Sequence, residues 1–566
     1  MQDEFRILEK RLLADDKILF LHAEGTVTHH IVNNKLRIIL VFQTGRRQRR
    51  LPVDSVCFTK DKVCYFEIQL KICLESVFMP FSAEEAKLPV QVFFEYCDST
   101  GEWYVLPEKV ELDGECFFKH PEKNSFVYQV FRRFLYVFFT LFLPLWLLDG
   151  WFAVRGYKKS SYLNKERKGK KGILYHAHGL VREMTGFGYS VREIKTNYFI
   201  KKYKRACKKC KVPERVLLLS ERSLDKGGNL DLVRQGLKEK GITYDEFIDT
   251  RPVHKLPFAK LRESAKLAAG ARVIILEDFY PQINMAELRK ETKLVQLWHA
   301  CGAFKMFGLS ELGKVEHLKQ NTRNHRNYSY AFVSSEQMIP FYSEAFGLSP
   351  QQVLPIGVPR TDVFFHKSYK NEVLTKLYHK YPMLRGKRVV LFAPTFRGSG
   401  NKTAYYPRER FIVDSFIEEM PEDTVFIIKN HPFVKERFLC SEKFWDRVLD
   451  LTGLENINDL LFLTSVLITD YSSCIFEAAL LNIPIVFYVF DLEDYIEERD
   501  FYFDFSSFAP GVKVRTFEKL LEETKQILSG DYERDALAKE NFKAYFLSAL
   551  DGHSTERVLS KIIEFL

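Results

Sequence analysis

The sequence lacks the marks of an exported, disulfide-linked protein. Its first ten residues (MQDEFRILEK) are polar and contain no apolar signal-peptide core. We therefore expect a reducing compartment, in which the 10 cysteines are free thiols. Cys207 and Cys210 form a C-x-x-C, but no second pair accompanies it. This predicts an exposed, lysine-rich helix face and argues against a metal site.

Two common nucleotide-binding motifs are also missing. No G-x-G-x-x-G follows the first strand-like run of either α/β half, and no G-x-x-x-x-G-K-[ST] occurs. These absences argue against a nicotinamide oxidoreductase and a P-loop NTPase. The net charge of +10 favours anionic partners such as lipid headgroups or phosphorylated substrates. It is modest, and no recognised nucleic-acid-binding motif accompanies it, so we expect no nucleic-acid partner.

The composition and length indicate a globular chain of several domains. With 566 residues, 46% hydrophobic and 28% charged, the chain exceeds the size of one core. Short runs that alternate apolar and polar positions predict a small antiparallel β domain over residues 1–120. Apolar strand-like runs then alternate with amphipathic helical segments. This rhythm predicts an α/β fold with two Rossmann-like domains and parallel sheets, over residues 166–375 and 376–566.

The segment between these parts, residues 121–165, contains the densest apolar stretch of the chain. Phe134 to Leu148 is a run of 15 residues without a charge that contains Pro144, with basic residues on both sides. A spanning helix needs about 20 residues. We therefore expect an interfacial or re-entrant anchor on anionic lipid. A spanning helix and a buried core helix remain alternatives. The flanking basic residues are Arg132, Arg133, Arg155, Lys158 and Lys159.

Polar residues follow several of the predicted parallel strands, where such sheets bind ligands. His299 ends an apolar run and enters a turn of small residues, which places an exposed imidazole at the mouth of the cleft. Arg360 lies in a rigid Gly-Val-Pro turn. Thr395 and Arg397 follow another strand in a second proline turn. A guanidinium group suits phosphate because it donates two hydrogen bonds at once.

Two further strand ends in the second α/β half carry candidate residues. His431 precedes a proline, which keeps its backbone extended and its imidazole near the strand end. Asp470 ends an apolar run, and Ser472 and Ser473 lie where the next helix begins. Hydroxyl groups and free backbone N–H groups there predict an anion site, with a plain serine N-cap as the alternative.

The sequence motifs around these strand ends resemble those of one family. Within residues 170–560 the segments are, in order, WHACGAFKMFG, GVPRTD, APTFR, NHP, ITDYSSCIFEAALLNIPIVFYVFDLEDY and RDFYFDF. Together they resemble the CDP-glycerol glycerophosphotransferase family, the teichoic acid primases and polymerases. Ala300 and Cys301 stand where the family more often has Gly and Thr, and both replacements are small enough to preserve the turn.

The resemblance implies a GT-B-like pair of Rossmann-like domains, here preceded by the small β domain and the membrane-associating segment. It also implies that a primer hydroxyl attacks the β-phosphorus of CDP-glycerol and that CMP leaves. His299 is then the candidate base on the acceptor side. His431, Arg360 and Arg397 would neutralise the pyrophosphate, and Thr395 would contact the nucleotide.

For the rest of the nucleotide side, the resemblance implies that Ser472 and Ser473 cradle the pyrophosphate. Glu477, one turn further along the helix, would accept hydrogen bonds from ribose hydroxyls. Asp470 is either a nucleotide contact or a buried cap of its own loop. No Asp-x-Asp stands in a strand-end loop, so we expect no obligatory divalent cation and no cofactor.

The implied partners are CDP-glycerol or another CDP-alditol, a lipid-linked teichoic acid or capsule primer, and an anionic membrane surface. We expect peripheral or monotopic attachment to the cytoplasmic face of the cell membrane. Within the class, a CDP-ribitol transferase and a primase that adds a single unit are alternatives. Outside it, a GT-B nucleotide-sugar glycosyltransferase and a membrane-bound scaffold without catalysis are alternatives.

Overall fold

The computed structural model describes residues 4–112 and 191–566 with short gaps. The gaps are residues 14–17, 28–36, 45–46, 54–55, 61–62, 74–88, 98–102, 211–214, 253–254, 312–324, 326, 399–402, 499–500, 504, 506–510 and 531–535. The apolar run Phe134 to Leu148 and residues 166–190 of the predicted first Rossmann-like domain lie outside the described residues. The membrane-associating segment therefore stays a prediction. No helix among those described is long and apolar enough to cross a membrane.

Antiparallel strands form the N-terminal part, as the period-two pattern predicted. They make two four-stranded sheets with the orders β1-β2-β6-β5 and β4-β3-β7-β8. Residues 38–42 of β3 are fully buried on both faces of their sheet, which explains why that strand is apolar at successive positions. The strands are β1 (Glu4–Leu13), β2 (Ile18–Val27), β3 (Arg37–Thr44), β4 (Arg47–Val53), β5 (Val56–Lys60), β6 (Val63–Cys73), β7 (Val90–Cys97) and β8 (Trp103–Leu112).

The first parallel sheet has the order β10-β9-β11-β12-β13-β14. Its central strands read VLLLS and VIIL, and both are buried along their whole length because helices cover both faces. The strands are β9 (Val216–Ser220), β10 (Tyr244–Ile248), β11 (Val273–Leu276), β12 (Lys293–Gln296), β13 (Tyr330–Phe332) and β14 (Val353–Leu354). The helices along this part are α1 (Val191–Cys207), α2 (Asn229–Glu239), α3 (Phe258–Ala269), α4 (Pro281–Met285) and α5 (Ile339–Phe346).

The second parallel sheet has the order β17-β16-β15-β18-β19-β20. Its strands are β15 (Arg388–Phe392), β16 (Thr424–Ile428), β17 (Val448–Asp450), β18 (Thr464–Thr469), β19 (Ile485–Tyr488) and β20 (Val512–Val514). The helices are α6 (Lys367–Lys380), α7 (Val413–Glu419), α8 (Ile457–Leu461), α9 (Ile475–Leu480), α10 (Leu492–Glu498), α11 (Phe517–Ser529), α12 (Ala536–Phe546) and α13 (Ser554–Phe565). Two mainly parallel sheets with helices on their faces confirm the predicted α/β class.

Each parallel sheet reverses its strand order once, and this reversal locates the clefts. In the first sheet, β10 lies on one side of β9 and β11 lies on the other. In the second sheet β15 has β16 on one side and β18 on the other. Crevices that bind ligands form at such points, outside the carboxyl ends of the strands.

The C-terminal helix α13 belongs to the first sheet, although the sequence placed it in the second domain. Its apolar side joins the core formed by β9, β11 and α2. The Asp362 carboxylate fastens its start, since it accepts hydrogen bonds from the N–H groups of Ser554 (3.0 Å) and Thr555 (2.7 Å). Gly236 of α2 permits the close approach, because a Cβ at that position would collide with Leu559.

The RDFYFDF segment ties the two α/β halves together. Lys305 and Phe501 form an antiparallel bridge. The Tyr502 N–H donates to the Phe304 carbonyl at 3.0 Å, and the Tyr502 hydroxyl donates to Ser310 Oγ at 2.7 Å. A segment that follows β19 of the second sheet is thereby anchored beside the turn that follows β12 of the first sheet.

Candidate active site

Leu297 and Trp298 separate His299 from the end of β12, and the Trp298 backbone is strained. Trp298 has a left-handed backbone with φ of 59°, which costs a non-glycine residue about 1–2 kcal/mol. Two hydrogen bonds hold it in place. The Trp298 N–H donates to Gln296 Oε1 (2.9 Å), and Asn229 Nδ2 donates to the Trp298 carbonyl (2.7 Å). This turn brings the imidazole to the carboxyl edge of the first sheet, where 35% of its side chain remains exposed.

A carboxylate and two guanidinium groups act on the imidazole. Asp278 Oδ1 lies 3.7 Å from His299 Nδ1, and Arg222 Nε donates to Asp278 Oδ2 at 2.6 Å. Burial lowers the pKa of His299 to about 4, with Arg222 and Arg360 adding to the shift and Asp278 opposing it. The imidazole is therefore neutral at pH 7 and able to accept a proton, and a third of the side chain is accessible to water.

Further carboxylates at this edge were missed by the sequence analysis. Glu221 follows β9, Asp249 follows β10, and Glu277 and Asp278 follow β11. Burial raises the pKa of Glu221 to about 7, and the nearby charges of Asp278 and Asp249 add to the rise. Burial also raises the pKa of Glu277, although the Ser220 hydroxyl donates to it at 2.9 Å. The strand-end rule that identified His299 could have found all four.

Arg360 and Glu477 form an ion pair that joins the two α/β halves. Arg360 Nη2 donates to Glu477 Oε1, and only 2% of the Glu477 side chain is exposed. The Arg360 N–H is held by Asn229 Oδ1 at 2.9 Å, while the buried Nε has no hydrogen-bond partner among the described residues. The Glu477 carboxylate is thus paired with a guanidinium in this structure. Its expected contact with ribose hydroxyls stays a prediction.

The turn after His299 packs directly on helix α9 of the second sheet. Gly302 has a φ of 63°, and a Cβ there would collide with the ring of Phe476. Cys301 is buried between the two halves, near enough to Arg360 and Glu477 for both to affect its pKa, which burial raises. His299 therefore lies in the same cleft as the residues that precede α9.

Arg397 also has a different setting from the one that the sequence predicted. Its Nε and Nη2 donate to the two Asp491 oxygens at 2.6 and 2.9 Å, and its Nη1 donates to Asp470 Oδ2 at 2.9 Å and to the Thr395 carbonyl at 2.7 Å. All three guanidinium nitrogens are engaged, and the side chain is 7% exposed. Arg397 therefore clamps the turns that contain these residues in this structure, and its expected contact with phosphate stays a prediction.

Asp470 has the second of its two predicted roles, a buried cap of its own loop. Its Oδ1 accepts hydrogen bonds from the N–H groups of Thr395 (2.7 Å) and Tyr471 (2.5 Å), and its Oδ2 accepts from Arg397. Asp470 is 1% exposed. It is a buried cap that joins the turns following β15 and β18, and this fixes the Thr395 backbone at the switch point of the second sheet.

Ser472 and Ser473 lie between β18 and α9, as predicted. Both side chains are partly exposed. Ser472 Oγ accepts a hydrogen bond from the Cys474 N–H at 3.4 Å, and the Ser473 carbonyl accepts one from Phe476 at 3.2 Å. Neither serine is the N-cap of α9, because Cys474 occupies that position without a side-chain cap. The helix has only six residues, so its dipole adds little to the site.

His431 and Asn430 follow β16 on the same sheet edge. The His431 ring packs against Phe396 and Phe433, and its Nδ1 accepts the Phe433 N–H at 3.2 Å. Asn430 is 2% exposed, and neither its side-chain oxygen nor its nitrogen has a hydrogen-bond partner in the described part of the chain. A buried amide without partners is costly unless a ligand satisfies it. Asn430 is the first residue of the NHP motif, and the sequence predicted no role for it.

No group of three or more His, Cys, Asp or Glu side chains among the described residues is placed to hold a metal ion.

Comparison with known proteins places this geometry in a family. The profile described as CDP-Glycerol:Poly(glycerophosphate) glycerophosphotransferase matches residues 248–564, more than half of the chain. The wall teichoic acid polymerase TagF has a similar solved structure, with a TM-score of 0.54 over 69% of this chain and 96% of that one. Identity to TagF is 17%, so this likeness concerns the fold, and it supports the predicted GT-B-like pair.

Curated relatives share more of the sequence. The teichoic acid poly(ribitol-phosphate) polymerase of Bacillus spizizenii is 38% identical over 351 residues, 62% of this chain and 56% of that protein. The ribitol-phosphate polymerase TarL of Staphylococcus aureus is 40% identical over 52% of each chain. The glycerol-phosphate primase of Bacillus subtilis is 29% identical over 56% of this chain and 77% of that one. The chain thus spans about half the length of the two ribitol-phosphate polymerases. The chain belongs to the CDP-glycerol:poly(glycerophosphate) glycerophosphotransferase family.

Proposed function

We propose that this protein transfers an alditol phosphate from a CDP-alditol to the hydroxyl end of a lipid-linked teichoic acid or capsule polymer. One observation carries the proposal. The turn that follows His299 packs on α9 through Gly302 and Phe476, so a neutral imidazole from the first sheet lies in a loop that contacts the helix after the strand-end groups of the second. An acceptor hydroxyl and a donor diphosphate can meet between them.

The proposed step is a phosphoryl substitution. The acceptor oxygen forms a bond to the β-phosphorus of the donor, and the bond between that phosphorus and the bridging oxygen breaks. CMP leaves with the electron pair, and the acceptor proton passes to His299. Asp278 stabilises the imidazolium that results, since its carboxylate lies beside Nδ1. The negative donor also raises the pKa of His299 once it is bound, which favours this transfer.

The charge on the donor diphosphate needs donors in the second half of the cleft. We assign this role to Arg360, through its unpartnered Nε, and to His431, Ser472 and Ser473, with Asn430 supplying an amide. Arg397 and Asp470 serve the same end indirectly because they fix the Thr395 turn. Preorganised donors of this kind stabilise charge without moving during the reaction.

The donor alditol is the finer part of the proposal. The sequence analysis expected CDP-glycerol, with CDP-ribitol as the alternative. Relatives named for ribitol phosphate are 37–40% identical to this chain, whereas those named for glycerol phosphate are 28–29% identical. The higher identity supports CDP-ribitol as the donor.

The test is incubation of the purified chain with CDP-ribitol or CDP-glycerol and a defined lipid-linked primer, followed by measurement of CMP release. We expect release that depends on the primer and is faster with CDP-ribitol. Faster release with CDP-glycerol would reverse the donor assignment. If the chain turns over UDP-sugars but neither of the two CDP-alditols, the result would instead indicate a glycosyltransferase. The length of the product separates a primase, which stops after one unit, from a polymerase.

A further inference from the structure

Helix α1 carries a row of cationic side chains on its outer face. Its inner face is apolar: Phe199 and Tyr203 are buried in the core that includes α3 and α4. Four exposed basic residues, together with Asn197, follow one another at helical spacing on the outer face. We call this row the basic track, and it consists of Lys201, Lys204, Arg205 and Lys208.

Little within the described chain neutralises the track. Lys204 pairs with Glu287 at 3.3 Å, but both side chains are at least half exposed, so this pair contributes little. No ion pair to Lys201, Arg205 or Lys208 is found among the described residues. The track lines a groove of about 340 Å³ together with Asn197 and Ile200. The groove therefore presents a concentrated positive charge to solvent.

The N-terminal end of α1 lies close to the carboxylates of the candidate active site. Arg192, in the first turn of α1, is close enough to Glu221 to lower the pKa of that carboxyl, and Glu221 also interacts with Asp278, the neighbour of His299. Just beyond the other end of α1, the Cys210 thiol donates to the Ala269 carbonyl at 3.6 Å. A helix of 17 residues is about 25 Å long. Because Lys201 follows Arg192 by nine residues, the track begins about 14 Å along the helix from the end near the cleft, on the helix face opposite Arg192.

We propose that the basic track binds the anionic polyol-phosphate chain behind its reacting end. This inference rests on the proposed function, which gives the enzyme a polyanionic acceptor that lengthens as it reacts. Cationic side chains one turn apart, about 5–6 Å, suit a chain that carries one phosphodiester per repeat. A lipid surface fits less well. An interfacial helix inserts its apolar face into the bilayer, whereas the apolar face of α1 is already buried in the protein.

The test compares two full-length variants that lose the same charge. The track variant is Lys201→Gln, Lys204→Gln, Arg205→Gln and Lys208→Gln. The control variant is Lys238→Gln, Lys240→Gln, Lys266→Gln and Lys370→Gln, all of them exposed residues on or directly after other helices. Each protein is titrated into fluorescently labelled poly(ribitol phosphate), and binding is followed by anisotropy at several salt concentrations. We expect the track variant to bind roughly tenfold more weakly or worse, with a shallower salt dependence, and the control to match the parent.

Turnover provides a second readout. With a primer of one or two units the track variant should keep the KM and kcat of the parent, because such a primer does not reach the track. With a long acceptor its KM should rise about tenfold, and its products should be shorter. Equal binding of the labelled polymer by parent and track variant would overturn the proposal.

Two further outcomes are distinguishable. Loss of binding to phosphatidylglycerol vesicles with unchanged polymer binding would overturn the proposal and make the track a membrane surface. If the parent turns over neither CDP-alditol, the proposed function fails. The anisotropy titration still decides the track, since it requires no catalysis.

Discussion

At His299, burial and two guanidinium groups act against one carboxylate in setting the pKa of the imidazole. Burial, Arg222 and Arg360 favour the neutral ring, and Asp278 favours the charged one. A general base has to be neutral before the reaction and must tolerate the proton afterwards. The free protein meets the first requirement through burial, and the second through a carboxylate 3.7 Å from Nδ1.

We predict that His299→Ala lowers kcat by roughly 10²-fold or more, the usual effect of losing a general base, with little change in donor affinity. CMP release gives the rate, and calorimetric titration with CDP gives the affinity. The control is His553→Ala, because this histidine precedes α13 and its side chain is 68% exposed. A His299→Ala enzyme with near-normal kcat would remove this residue from the reaction.

Asp278→Asn should alter both the rate and the titration of His299. Because Asp278 raises the pKa of the imidazole, its neutralisation should move that pKa below its present value of about 4. The low-pH limb of kcat/KM should therefore shift to lower pH. At neutral pH kcat should fall, since the imidazolium loses its stabilising charge.

NMR titration of the His299 ring, assigned by its absence from His299→Ala, measures the pKa directly. Partial recovery of kcat in Asp278→Glu would support a positioning role. An unchanged pKa in Asp278→Asn would show that the two side chains do not interact.

At the scale of elements, the turns that follow β15 and β18 depend on one buried charge cluster. Arg397, Asp470 and Asp491 are paired within it, and Asp470 also binds the Thr395 backbone. Removing one member of a buried pair leaves an uncompensated charge.

We predict that Arg397→Ala lowers the free energy of unfolding by roughly 3–5 kcal/mol, the usual cost of breaking a buried pair. Denaturant unfolding measures this change. Arg408→Ala is the matched control because Arg408 pairs with Glu436 at an exposed site, where the cost should be about 0–1 kcal/mol. Similar stability of the two variants would mean that the cluster does not clamp the turns.

The close contact between α2 and α13 leads to a second stability prediction. Gly236→Ala should lower the free energy of unfolding by about 1–3 kcal/mol, because the new Cβ collides with Leu559 in a packed core. Helix propensity acts the other way, since alanine favours a helix more than glycine. Gly270→Ala is the control, as its Cβ would meet only carbonyl oxygens at 3.6 Å. A Gly236→Ala protein as stable as the control would show that α13 does not pack tightly there.

At the scale of the whole molecule, the proposed function requires the enzyme to bring a lipid-linked acceptor to a CDP-linked donor. The sequence assigns attachment to residues 121–165, outside the described part of the chain. We predict that replacing Arg132, Arg133, Lys158 and Lys159 by Gln releases part of the protein from anionic liposomes. Raised salt should have the same effect on the parent, because headgroup attraction is screened.

Liposome co-sedimentation measures this release, with the four-lysine control variant described above alongside. Retention that resists carbonate extraction would contradict the interfacial anchor and indicate a spanning helix. An absence of liposome binding by the parent would leave Phe134 to Leu148 as part of the core.

The sequence by itself determined the fold class, the order of the elements and several strand-end residues. Apolar periodicity is a local property, and strand ends in parallel sheets meet at one edge, so His299, His431 and Ser472 could be placed without coordinates. The same rule would have found Glu221 and Asp278. Neither carboxylate belongs to the motifs that resemble the family, so the resemblance did not indicate them.

Only the tertiary structure decided which charges are already paired. Arg360 and Glu477 are 117 residues apart in the sequence, and Arg397 and Asp491 are 94 apart. A guanidinium at a strand end suits a phosphate or a carboxylate equally well, so the sequence could not distinguish a ligand contact from a structural clamp. For the same reason, the sequence could not predict that α13 returns to the first sheet. An amphipathic helix carries no record of which apolar surface it covers until both surfaces are in place.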